Sequence, residues 1–192
     1  MNLDDFDDDS CLIYGIGNVG RQDDGLGWAF VDWLEAQGRC PSAQLQRSYQ
    51  LLIEDADLIS TKRRVLFVDA TKDESVTSFE LRRPAPKMDF TFTSHAISVP
   101  AIMATCEQCF ECLPEVYVLA IRGFEFGLAM GLTRAAQRNL DIVTACLSPP
   151  GHVGNAGRPP RAALGATGPK RCPETPVAES KDPTVRLREG GP

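Results

Sequence analysis

The chain predicts a three-layer α/β/α fold built on a twisted, mainly parallel sheet. Three observations carry this reading. Short apolar runs alternate along the chain with segments of helical periodicity. The runs at 64–69 and 115–121 are nearly unbroken in their apolar character, as strands covered on both faces are. The run at 11–16 opens through glycines into a helix. Such alternation implies parallel strands with helices on both faces and right-handed connections.

Taken in order, residues 11–16 (Cys-Leu-Ile-Tyr-Gly-Ile) read as a buried first strand. Leu26, Ala29, Phe30, Trp33 and Leu34 recur at helical spacing and predict a helix over 24–37, with Gly38 as its stop. Residues 44–51 suit a strand and 52–60 a short helix. Asp69 ends the apolar run 64–69 and is expected at the strand's carboxyl end. Residues 76–82 alternate as an edge strand does, and Pro84 and Pro86 then break the chain. Residues 90–95 lead into a helix over 96–110, where Pro100 is tolerable only in the first turn. A strand over 115–121 and a loop over 123–131 follow. Thr133 is a good N-cap for a last helix over 134–147.

The 192 residues suit one domain, and 43% apolar with 24% charged residues is ordinary globular usage. Residues 1–10 are acidic and are expected to be disordered. From Ser148 onward the character changes, since nine of the fourteen prolines and seven of the sixteen glycines fall in 148–192. A segment of that composition cannot bury enough surface to offset its ordering entropy, so it is read as a disordered tail. The predicted organisation is thus 1–10, a domain over 11–147, and a tail over 148–192. The tail holds seven Lys/Arg against four Asp/Glu; of the net −6 it contributes +3, which leaves the body at −9. An acidic body argues against nucleic-acid binding. No run approaches the ~20 apolar residues of a membrane span, and no basic leader precedes the first strand. The chain is expected in the cytoplasm, where seven cysteines are not a disulfide framework.

Gly15-Ile-Gly17-Asn-Val-Gly20 satisfies the dinucleotide-binding glycine pattern. Yet Arg21-Gln-Asp-Asp-Gly25 separates it from the helix, and Asp23 and Asp24 would repel a pyrophosphate. A turn that presents carboxylates is the alternative, beside a purely structural glycine turn. Asp24 and Asp69 each follow an apolar strand and fall at one predicted sheet edge. Alone, Asp23 or Asp24 reads more readily as a helix cap and Asp69 as an ordinary strand-end turn; together, Asp24 and Asp69 read more as ligands. His95 lies just before a helix at the same edge. An Asp/Asp/His set suits a divalent transition metal and leaves coordination positions open for substrate. Cys106, Cys109 and Cys112, at i, i+3 and i+6, rotate around a helix and are read as buried structural thiols. No G-x-S-x-G is present.

Gly15-Ile-Gly-Asn18, Asp23-Asp-Gly25, Val65-Leu-Phe-Val-Asp-Ala70 and Ser94-His95, in this order, resemble the hydrogenase maturation proteases. These endopeptidases trim the C-terminus of nickel–iron hydrogenase large-subunit precursors. The stretch Val118-Leu-Ala-Ile-Arg-Gly-Phe-Glu-Phe-Gly127, with Gly131-Leu-Thr133, is similar to the family too, and the resemblance runs over 11–147. It implies the same three-layer fold. It implies three metal ligands that are also the catalytic set: Asp24, standing where some members have Glu, then Asp69 and His95. It implies that the nickel arrives inside the precursor, so that an empty precursor is not cut, and that Asp23 orients the turn or supports a ligand. The implied partner is the precursor, met by a monomer. The alternatives are a non-catalytic relative that binds precursor or nickel, and a dinucleotide-binding oxidoreductase resting on the glycines.

Overall fold

The computed structural model describes residues 1–88 and 97–147. Five strands form one sheet in the order β2-β1-β3-β5-β4. They are β1 (Cys11–Ile16), β2 (Gln44–Ser48), β3 (Arg64–Thr71), β4 (Phe79–Arg82) and β5 (Glu115–Arg122). Four are parallel; β4 runs antiparallel to β5 at one edge. The helices are α1 (Leu26–Ala36), α2 (Asp55–Ser60), α3 (Val99–Phe110) and α4 (Arg134–Leu147).

The strand residues sort themselves by the two-residue period. Cys11 and Ile13 of β1, Leu66 and Val68 of β3, and Leu119 and Ile121 of β5 share one core with α1 and α4. Leu12, Tyr14 and Ile16, Val65 and Phe67, and Val116 and Val118 share the opposite core with α2 and α3. Both faces are covered, so the central strands must be apolar at nearly every position. Asp69 continues the Val65–Phe67 row and so belongs to the α2/α3 face.

Helix α1 seats directly on the sheet because two glycines allow it. A Cβ on Gly27 would overlap the carbonyl oxygens of Ile16 and Val68, and a Cβ on Gly15 would overlap the Gly27 carbonyl. Helix α3 has Ser98 as N-cap, with its side chain accepting from the Ala101 N–H at 3.3 Å, and Pro100 falls in the first turn. Thr133 starts α4 by accepting the Ala136 N–H on its hydroxyl at 3.2 Å.

Several expectations are corrected. Residues 1–10 are not disordered: Leu3–Phe6 form a 3-10 helix with a capping box between Asn2 and Asp5. Leu3 and Phe6, three apart, are both fully buried. Phe6 meets Tyr117 edge-on at 5.9 Å and lies under the Arg64 guanidinium at 5.5 Å. Two apolar side chains on one face outweigh the surrounding charge. β3 extends past Asp69 to Thr71, because β5 continues to pair with it at Asp69, Ala70 and Thr71. Of the helix-borne thiols only Cys106 is buried; Cys109 is exposed and Cys112 half-buried, since their spacing rotates them around α3 and past its end. The expected tail over 148–192 lies outside the described residues. Among the described residues no helix is long and apolar enough to cross a membrane.

Replacing Phe6 by Ala is expected to cost about 3–4 kcal/mol of unfolding free energy. Urea denaturation would measure it, and a loss under about 0.5 kcal/mol would show that the N-terminal turn is not part of the core.

Candidate functional site

The chain reverses its lateral direction beside β1. From β1 it crosses through α1 to β2, then returns through α2 to β3 on the other side of β1. The connections after β1 and β3 therefore diverge, and a crevice opens at the carboxyl ends of these neighbours. A cleft of about 740 Å³ lies there, and Asp24 and Asp69 both line it.

Asp24 reaches the cleft through a tightly built turn. Gly17 holds φ at +134°, which favours glycine, and a Cβ there would overlap the Asp24 carbonyl oxygen. The Gly17 N–H donates to the Ser48 carbonyl at 3.0 Å, so the turn is anchored to the end of β2. Asn18 accepts the Gly20 N–H on its side chain at 2.9 Å, and its own N–H donates to the Asp24 carboxylate at 3.1 Å. A 3-10 turn over Gln22–Gly25 then delivers the chain to α1. Neither aspartate caps α1, whose N-cap is Gly25 with no side-chain bond. The capping alternative for Asp23 and Asp24 is thereby removed, and the helix starts well after the glycines rather than against them.

Asp23 and Asp24 are adjacent, yet they do opposite things. Asp23 is fully buried and points away from solvent. Its Oδ2 accepts from the Phe124 N–H at 2.8 Å, the Glu125 N–H at 3.0 Å and the Thr133 hydroxyl at 2.9 Å. Its Oδ1 accepts from the Thr133 N–H at 2.7 Å. Burial by itself would push this carboxyl up; the donors from Thr133, Phe124 and Glu125 outweigh it and hold the acid below its ordinary value.

Asp69 has the contrary environment. It receives a hydrogen bond from the Ala70 N–H at 2.7 Å. Burial pushes its pKa up to about 6, the Ala70 bond opposes that, and the negative charge of Asp24 adds to the rise. Two carboxylates thus face one cleft, and one of them, Asp69, is strongly desolvated and opposed by the charge of the other. A cation placed between them would relieve both penalties. His95, the third expected ligand, lies outside the described residues. Glu35, which stands at a ribose-binding distance in sequence from the glycines, is instead ion-paired with Arg47 of β2.

The cleft also has walls that sequence reasoning did not place there. Tyr49 and Leu51, just after β2, line one side; Arg82 of β4 and Ser98 at the start of α3 line others. No local pattern marks them, because they meet only through sheet order.

No protein-family model and no curated protein matches this chain. Solved structures do. A nickel–iron hydrogenase maturation protease HycI from Thermococcus kodakarensis superposes with a TM-score of 0.59 at 16% identity, covering 76% of this chain and 95% of that one. The endopeptidase HycI from Escherichia coli gives 0.53 at 20% identity, with 71% and 88% covered. The hydrogenase maturating endopeptidase HybD from Escherichia coli gives 0.52 at 15% identity, with 71% and 91% covered. The fold is that of the hydrogenase maturation proteases. The superposition spans nearly the whole length of those chains.

Asp69 has a pKa near 6 in the folded state, above its ordinary 3.8. The folded protein therefore binds this proton more tightly than the unfolded chain does, and stability falls as pH rises from about 4 to 6. Asp69→Asn removes that loss. At pH 7.5 the variant is expected to be more stable than wild type by at most about 3 kcal/mol; at pH 4 the two should coincide. Thermal melts at both values test this, and equal melting temperatures at pH 7.5 would refute the burial argument.

Proposed function

We propose that this protein belongs to the hydrogenase maturation proteases and is an endopeptidase that removes the C-terminal extension of a nickel–iron hydrogenase large-subunit precursor. One observation carries the reading: a chain folded as those proteases brings two carboxylates, Asp24 and Asp69, to a single cleft at the carboxyl edge of its sheet.

The residues divide the work. Asp24 and Asp69 supply oxygen donors and His95 a nitrogen donor, a set that suits a divalent transition ion. Nickel carried by the precursor supplies the Lewis-acid chemistry, by polarising the scissile carbonyl or activating a water. No nucleophile from the protein is required. The paired carboxylates also supply selectivity. Without a cation, Asp69 is buried and opposed by Asp24, so the site favours a partner that brings positive charge. A precursor lacking nickel offers none. The cleft walls formed by Tyr49, Leu51 and Arg82 would hold the flanking peptide. The working compartment is the cytoplasm, and the partner is the precursor itself.

Incubation with nickel-loaded and nickel-free precursor, followed by mass spectrometry, tests the proposal. Trimming is expected only with the loaded form. Asp24→Ala, Asp69→Ala and His95→Ala should each reduce trimming by at least about a thousandfold while circular dichroism stays native. Wild-type rates in any of the three would remove that residue from the site. Binding of precursor without a change in its mass would favour a non-catalytic relative.

A further inference from the structure

We propose that Asp23 is the positioning residue of this site: its buried carboxylate fastens the turn that carries Asp24 to the loop after β5, and so sets the separation of Asp24 from Asp69. The inference rests on the functional reading above for its consequence, but its structural half stands alone.

Among the described residues, the four hydrogen bonds to the Asp23 carboxylate come from beyond residue 122, from Phe124, Glu125 and Thr133. They join segments about a hundred residues apart in sequence. The same loop is tied to the other ligand-bearing strand, since the Gly123 N–H donates to the Thr71 carbonyl at 3.0 Å. Thr71 lies two residues beyond Asp69 on β3. Asp24 and Asp69 are thus connected by a continuous strut: the Asp23 peptide, its carboxylate, the backbone of 123–125, and Thr71. Gly123 makes the approach possible, for a Cβ there would come within 2.9 Å of the Asp23 Cβ.

Further ties brace the joint. The Asp23 N–H donates to the Glu125 carbonyl at 3.0 Å and the Gln22 N–H to the Ala129 carbonyl at 2.8 Å. The Arg21 side chain donates to the Phe126 carbonyl at 3.3 Å. Among the described residues four donors reach the Asp23 carboxylate, enough to fill its oxygens. An amide in its place would set its NH2 against backbone N–H groups. Asp23 therefore acts through Asp24. It shapes the site without touching substrate, as supporting groups behind metal ligands do.

Asp23→Asn and, as the milder change, Thr133→Val test this in the full-length protein. Native-state amide exchange should quicken at least tenfold in both 18–26 and 123–133, with β3 and the later turns of α4 unchanged. With nickel-loaded precursor, kcat should fall 10- to 100-fold at constant KM. Should Asp23→Asn fail to fold, Thr133→Val decides, with the same pattern at smaller amplitude. Quickened exchange in 123–133 alone, or a native kcat, overturns the proposal. If wild type trims nothing, the endopeptidase reading fails, and the exchange pattern still decides whether the strut exists.

Discussion

A carboxylate in the protein interior is tolerable only when its oxygens are filled by donors, and the Asp23 side chain is filled completely. That requirement organises this molecule. To satisfy Asp23, the loop after β5 must bring two backbone amides and the Thr133 hydroxyl and amide to one point. Thr133 is also the residue that starts α4. The last helix, the loop before it and the turn after β1 are therefore interdependent. The loop and the turn are each placed by hydrogen bonds to the other, and the start of the last helix is fixed with them.

Asp23 and Asp69 illustrate how environment, rather than residue type, assigns a role. Asp23 is buried among donors and is held ionised. Asp69, across the cleft, is buried with one backbone donor and faces another negative charge, which pushes its pKa up to about 6. The first carboxylate stabilises the fold; the second works against it. A buried group that costs stability is a candidate functional group, because packing alone would select an apolar or amide side chain there.

The scaffold explains why this cost falls where it does. Gly15 and Gly27 let α1 sit against β1 and β3, and the chain's reversal beside β1 opens the crevice between diverging connections. Strand alternation then points Asp69 to the α2/α3 face, where the cleft lies. The site needs no special element. It uses the one place in such a sheet where backbone layers part.

The β1 and β5 runs, the last helix and its Thr133 cap were legible from local patterns, since period and capping are properties of neighbours in sequence. So were Asp24 and Asp69 as candidates, because each stands at the end of an apolar run. The 3-10 turn at Leu3–Phe6 was hidden by its aspartates: composition averages over charge, whereas burial depends on two side chains sharing a face. The role of Asp23 was beyond local reading, since its four donors lie about a hundred residues away. The amino-acid sequence alone therefore determined the main strands and helices of 11–147 and their order, and it offered Asp24 and Asp69 as candidate ligands. Only the tertiary structure decided which donors hold Asp23 and where they come from, because hydrogen-bond partners distant in sequence leave no periodicity to read.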